Sequence, residues 1–229
     1  MPTAFRTLLN PTGETDPNFA NVTLLLHMDG SNGSTTFTDN SLNSASITAS
    51  GNAQISTTQS KFGGASGYFD GNGDYISSSS ASITNFGTGD FTVEFWFYST
   101  ITGAISIFDS RTNETAPNGN GFVIGTNASS QWVIYQGSNR IIGSTLSTNT
   151  WIHVAVSRSG NSVRMFLNGN QTGSTWTTTN SFTDAAFLIG TDYPKNARFV
   201  NGYIDDLRVT TVARYTANFT APTAAFPDS

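Results

Sequence analysis

The sequence predicts an all-β protein, a two-sheet antiparallel jelly-roll sandwich, and three observations carry that prediction. Short runs of alternating apolar and polar residues recur from Val22 to Val209, the period of strands with one buried face. Clusters of Gly, Asn, Asp and Ser separate these runs, as tight turns require. Almost no window sustains a helical period for about ten residues.

Residues 1–20 carry Pro2, Pro11, Gly13 and Pro17 with little periodicity, which predicts an extended arm ahead of one domain over 21–229. Runs near 22–28, 53–56, 66–70 and 74–77 read as short strands. Ser77-Ser78-Ser79-Ser80 reads as a solvated loop. The strongest strand is Phe91–Tyr98: Phe91, Val93, Phe95 and Phe97 share a core face, and Thr92, Glu94, Trp96 and Tyr98 share an amphipathic face suited to a groove or a loop cover. Weaker candidates follow near 104–109, 121–125, 131–136 and 140–142. Trp151–Val156, Val163–Leu167 and the segment after Asn168-Gly169 form a meander, because Asn-Gly tolerates the positive φ of a two-residue hairpin turn. Phe187–Gly190 is a buried strand and Gly202–Val209 the last long one. About a dozen strands suit two packed sheets.

The 229-residue length fits one large sandwich domain. Lys and Arg number 10 against 15 Asp and Glu, a net charge of −5, so neither nucleic acid nor an anionic membrane surface is an expected partner. The chain has no Cys, which excludes disulfides, thiolate metal sites and Cys nucleophiles. The longest apolar runs, Val22–Met28 and Phe91–Tyr98, are about a third of the length that spans a bilayer. Met1–Arg6 lacks a basic region followed by an apolar stretch, and export by a signal peptide is not expected.

Ala65-Ser66-Gly67-Tyr68-Phe69-Asp70-Gly71-Asn72-Gly73-Asp74-Tyr75-Ile76 resembles the Phe-Asp-Gly and Asp-Tyr segment of laminin-G-like, concanavalin A-like jelly-roll domains. Phe91–Trp96, Trp151–Val156, Phe166-Leu167-Asn168-Gly169 and Gly202–Val209 resemble further pieces of that domain in the same order. Leu24–Gly30 and Ala213–Pro222 look like the versions found in bacteriophage structural proteins. The resemblance implies a protein localised to the virion, present in many copies or as a homo-oligomer, with other virion proteins and cell-surface glycans as partners. Two further readings stand beside it: a decoration or assembly protein without a ligand, and a polysaccharide-degrading enzyme.

Glycoside hydrolysis needs two carboxyl groups facing one glycosidic bond. Glu14, Glu94 and Glu114 are isolated in sequence, and Asp205 and Asp206 are expected on opposite faces of their strand. No catalytic residue is therefore assigned and no enzyme is expected, although Glu94 paired with Asp109 or Asp192 across strands remains open. His153, mid-strand beside Trp151, reads as a packed histidine, and neither it nor His27 sits in a zinc motif. Gly71-Asn72-Gly73 and Gly119-Asn120-Gly121 are turns without the following helix that a phosphate cradle needs.

Sugar recognition combines aromatic faces with Asp, Asn and Arg groups directed at hydroxyls. Two loops offer these types: 109–114, with candidates Asp109, Arg111, Asn113 and Glu114, and 192–198, with Asp192, Tyr193 and Arg198. The resemblance implies that such loops lie on the rim or concave side that carries ligand or calcium; the alternative is a pair of solvated connectors. Trp176, and Tyr135 near Trp132, are open to core packing or sugar stacking. No cofactor is expected beyond a structural or ligand-bridging calcium, for which Asp29, Asp39, Asp70 and Asp206 are candidates against a turn-capping role.

Overall fold

A computed structural model describes residues 15–112, 120–184 and 186–229. A short 3-10 turn, Phe19–Asn21, leads into strands β1 (Val22–Leu26), β2 (Thr48–Ser50), β3 (Gln54–Ser56), β4 (Ser66–Asp70), β5 (Tyr75–Ser78), β6 (Phe91–Ser99), β7 (Ile105–Asp109) and β8 (Val123–Thr126). There follow β9 (Gln131–Tyr135), β10 (Asn139–Thr145), β11 (Ile152–Ser159), β12 (Ser162–Leu167), β13 (Asn170–Thr177), β14 (Phe187–Ile189) and β15 (Asn201–Thr210). The first sheet runs β13-β12-β11-β6-β15-β4-β3 with β1 also paired to β15, and the second runs β10-β9-β8-β7-β14-β5-β2. The chain is the predicted all-β sandwich, and among the described residues no helix is long and apolar enough to cross a membrane.

The core face of β6 is the expected one: Phe91, Val93, Phe95 and Phe97 are buried with Ile105, Ile107, Ile124, Trp132 and Ile134 of the second sheet and with Phe122 just ahead of β8. Phe91 stacks between Phe86 at 4.3 Å and Phe122 at 5.3 Å. Such interleaved rings bury more apolar surface per residue than aliphatic pairs. β2 escaped the sequence pattern because Thr48, Ala49 and Ser50 are small and none is fully buried, so no alternation marks them. The Asn168-Gly169 turn is as predicted, with φ of 48° and 81°, both left-handed as a type I′ turn demands.

The Thr92 and Glu94 end of the polar face of β6 is covered by the C-terminal segment after β15. Tyr215 and Phe219 stack at 3.6 Å and both pack on Phe166 of β12. Phe226 lies over the Arg208 guanidinium at 3.8 Å. The segment is anchored at Gly169, whose carbonyl accepts from Phe219 N–H at 2.9 Å. A Cβ at Gly169 would meet the Phe219 carbonyl, and its φ of +81° disfavours any side chain. Gly169→Ala is therefore expected to cost at least about 1 kcal/mol, read as a lowered midpoint in urea.

Under this cover Arg208 bridges Glu94 and Asp16, joined by Arg214 and Tyr215. Residues 1–14 of the expected arm lie outside the described residues. Asp16 is buried, and its N–H donates to the Ser229 carbonyl at 2.6 Å. Asp205 and Asp206 do not take opposite faces. The register shifts between Asp205 and Arg208, and Asp206 adopts a φ of 47°. This bulge lets both Ile204 and Leu207 reach the core, so the two intervening carboxylates avoid it. Asp205 accepts from Lys61 and Phe62 N–H, and Asp206 from Phe226 N–H and the His27 ring.

Candidate binding cleft

Strand pairing sets Thr48, Ser77, Leu188, Asp109, Val123 and Tyr135 side by side in one rank across the second sheet. Their neighbours Ile76, Ile189, Phe108 and Ile124 go to the core, so alternation turns the rank outward. Asp109 is the pivot. Its carboxylate accepts from Arg111 N–H at 2.8 Å, from Arg111 Nε at 3.0 Å and Nη2 at 2.6 Å, and from Tyr193 N–H at 2.9 Å. The loops after β7 and β14, well apart in sequence, are thereby pinned to each other.

The 190–200 loop is closed at its base by Val200 N–H to the Gly190 carbonyl at 2.8 Å, and across its middle by Thr191 Oγ to the Ala197 carbonyl at 3.1 Å. Its tip is a turn in which Lys195 N–H donates to the Asp192 carbonyl, with a cis Tyr193–Pro194 peptide. Tyr193 and Lys195 overhang a shallow cleft of about 390 Å³ floored by Leu188 and walled by Thr48, Ser77, Ser78 and Thr112. The Lys195 ammonium also sits 5.1 Å from the centre of the Tyr75 ring.

Burial raises the Asp109 pKa, and the Arg111 guanidinium opposes that shift. For Arg111 burial disfavours the charge, but the Asp109 carboxylate outweighs it and the pKa is raised. The guanidinium also lies 5.6 Å from the centre of the Tyr135 ring. Asp192 is nine-tenths buried, 3.7 Å from the Arg198 Nε, and burial raises its pKa. Its Oδ1 has no hydrogen-bond partner among the described residues.

Of the sequence candidates, Asp109, Arg111, Asp192, Tyr193 and Arg198 come together here, while Asn113 and Glu114 lie outside the described residues. Asp109 and Arg111 are buried and committed to each other, whereas Tyr193 is half-exposed and Arg198 exposed. Ser77 and Ser78 belong to β5 and line the cleft rather than a loop. The strand register, absent from a one-dimensional pattern, is what reveals them.

The open pairing of Glu94 with Asp109 or Asp192 is not made, because Glu94 belongs to β6 of the first sheet and Asp109 to β7 of the second. Trp132 is a core residue, and Trp176 packs against the core. His153 is buried, with Nε2 3.3 Å from Glu94 Oε2. The carboxylate of Asp39 takes N–H groups of Leu25, Ser41 and Ala45, and that of Asp70 takes Asn72 N–H, which is turn capping. Among the described residues no group of three or more His, Asp or Glu is placed to hold a metal ion.

A family model described as the concanavalin A-like lectin/glucanases superfamily matches residues 70–218. The chain belongs to this superfamily. Among solved structures this concanavalin A-like chain resembles domain 4 of AbnA, a GH43 extracellular arabinanase from Geobacillus stearothermophilus solved in complex with arabinotriose. The TM-score is 0.57 at 19% identity, over 84% of this chain and 93% of that one. It also resembles the binding domain of Paraclostridial Mosquitocidal Protein 1, with a TM-score of 0.63 at 14% identity, over 86% of this chain and 50% of the other. Trypanosoma rangeli sialidase in complex with sialic acid gives 0.62 at 12% identity, over 86% of this chain but 31% of the sialidase. These likenesses are of fold. No curated protein matches the sequence.

Proposed function

We propose that this chain is a non-catalytic glycan-binding domain carried in many copies on a bacteriophage particle, and that the cleft under Tyr193 and Lys195 takes sugars of the host surface. The observation that carries the reading is the cleft itself: an aromatic ring and an ammonium group over hydroxyl-bearing walls, held by a buried Asp109–Arg111 pair. A partly apolar floor with a few directed polar groups is what a small-ligand site needs. Domain 4 of AbnA, solved with arabinotriose, supports sugar binding by a related sandwich. The virion assignment is supported by the likeness of 24–30 and 213–222 to phage structural domains. The non-catalytic assignment is supported by the cleft lining, where no carboxylate stands among the described residues, against the two that hydrolysis requires.

Arg198 is exposed beside Asp192 on the same loop. Each site is weak, and copy number on the particle raises the effective concentration. With the turn-capping aspartates engaged by N–H groups, binding needs no calcium and survives chelation.

Glycan-array binding by a multivalent display of the protein tests this reading. Tyr193→Ala and Lys195→Ala are each expected to reduce it about tenfold, Arg111→Ala to reduce it through loss of loop position, and EDTA to leave it unchanged. Binding untouched by both cleft substitutions would remove the cleft from the reading, and no binding at high valency would favour a ligand-free decoration role. Mass spectrometry of purified particles should find the chain in multiple copies; its absence would end the virion assignment.

A further inference from the structure

A second rank of side chains lies on the opposite sheet. Tyr203 of β15 is paired directly with Tyr68 of β4 and with Tyr98 of β6, and Tyr68 is paired with Gln54 of β3. Trp151 precedes Ile152, the partner of Phe97, and so stands beside Tyr98. Ring centres follow one another at 5.1 Å from Tyr68 to Tyr203, 5.8 Å from Tyr203 to Tyr98 and 5.6 Å from Tyr98 to Trp151. All four rings are half-buried. Among the described residues no hydrogen bond occupies the three phenol hydroxyls.

The next rank inward shows what a covered position on this face looks like. His153, Trp96 and Asp205 are almost completely buried beneath Phe219 and the Lys61-Phe62 turn. The aromatic rank is left partly open where that cover stops. We propose that it is a second carbohydrate-binding surface, on which a single uncharged polysaccharide chain lies across the strands with its sugar rings against Trp151, Tyr98, Tyr203 and Tyr68. The proposal stands apart from the loop cleft and does not depend on it.

Three features of the rank select this occupant. Four adjacent strands span about 14 Å, the length of a short run of linked sugars, and the rings repeat along that line. The sugar faces that carry C–H groups are apolar and fit the negative face of an aromatic ring, while the phenol hydroxyls meet the sugar rim. Successive ring planes differ by 40°, 77° and 58°, so the rank is no flat platform for a crystalline surface; it suits one chain that turns as it passes. Charge completes the selection. The four rings and Gln54 are uncharged at neutral pH, Lys61 one rank behind is held over Trp96 at 4.0 Å, and the chain carries a net −5. An acidic polysaccharide is repelled and gains no ion pair.

Trp151 provides the readout. Neutral hexasaccharides of glucan, mannan, xylan and arabinan type, with oligogalacturonate as the acidic probe, are titrated into the intact protein while tryptophan emission and heat are recorded. At least one neutral chain is expected to shift the emission, the shift is expected to vanish in Trp151→Phe, and oligogalacturonate is expected to have no effect. Tyr203→Leu, which keeps the packing but removes the ring, is expected to weaken binding about tenfold or more, and Tyr203→Phe to stay within about threefold. Tyr68→Leu repeats the test at the other end, and urea midpoints confirm that the variants fold. Tyr193→Ala is expected to leave this binding intact, which separates it from the cleft. No binding by any neutral chain, equal binding of oligogalacturonate, or indifference to both leucine variants overturns the proposal.

Discussion

Replacing Arg208 with alanine is expected to lower the unfolding free energy by about 3–5 kcal/mol, the cost of leaving a buried ion-pair partner uncompensated. Arg208 donates to Glu94 Oε1 from Nε at 3.0 Å and from Nη2 at 2.7 Å, and to Asp16 Oδ2 from Nη1 at 3.0 Å. Glu94 is completely buried, and burial alone would raise its pKa. Arg208 foremost, then His153 and Arg214, reverse that and hold it at about 2. Its stabilising contribution is therefore present above its unfolded value of 4.5 and lost as pH falls through about 2. In Arg208→Ala this acid dependence shrinks, because the carboxylate loses the partner that made ionisation favourable. Urea unfolding at pH 7 and pH 3 reads both effects, and Arg208→Met separates charge from volume. An unchanged midpoint in both variants would show that the network is no strut. The same geometry predicts that Glu94→Gln alters stability, not sugar chemistry.

How the sequence reports on this molecule follows from what each feature depends upon. The core face of β6 was readable because alternation is a local property: Phe91, Val93, Phe95 and Phe97 announce a buried side without knowledge of the partner sheet. Asn168-Gly169 was readable for the same reason. The pairing of Asp109 with Tyr193 N–H was not, since β7 and β14 are neighbours in one sheet but far apart in sequence and only folding brings them together, although residue chemistry did single out both loops. Asp205-Asp206 misled because one inserted residue resets the strand's alternation, and a bulge leaves no reliable mark in composition. The aromatic rank was hidden differently. Tyr68, Tyr98, Trp151 and Tyr203 come from four separate segments, and each alone reads as an ordinary strand aromatic.

A second large effect is expected on the alkaline side. The His27 ring is clamped between Asp206 Oδ1 at 2.7 Å from Nδ1 and Asp228 Oδ1 at 2.8 Å from Nε2. Burial disfavours its charge, but the two carboxylates outweigh burial and lift its pKa from 6.5 to about 10. Because the folded value lies above the unfolded one, the stabilisation is fully present below about pH 6.5 and is lost as pH rises through about 10. Asp205 acts in the same direction. Burial lifts it to about 7, so its contribution fades as pH rises through that value. The domain is therefore expected to be most stable in mildly acidic solution, between the acid limb set by Glu94 and the alkaline limb set by His27. His27→Gln keeps one donor but no charge, and is expected to cost on the order of 3 kcal/mol at pH 6 and much less at pH 10. The decisive quantity is the difference between parent and variant at each pH rather than either curve alone. A difference that stays constant from pH 6 to pH 10 would mean that the imidazolium does not fasten the C-terminal residues to the sandwich.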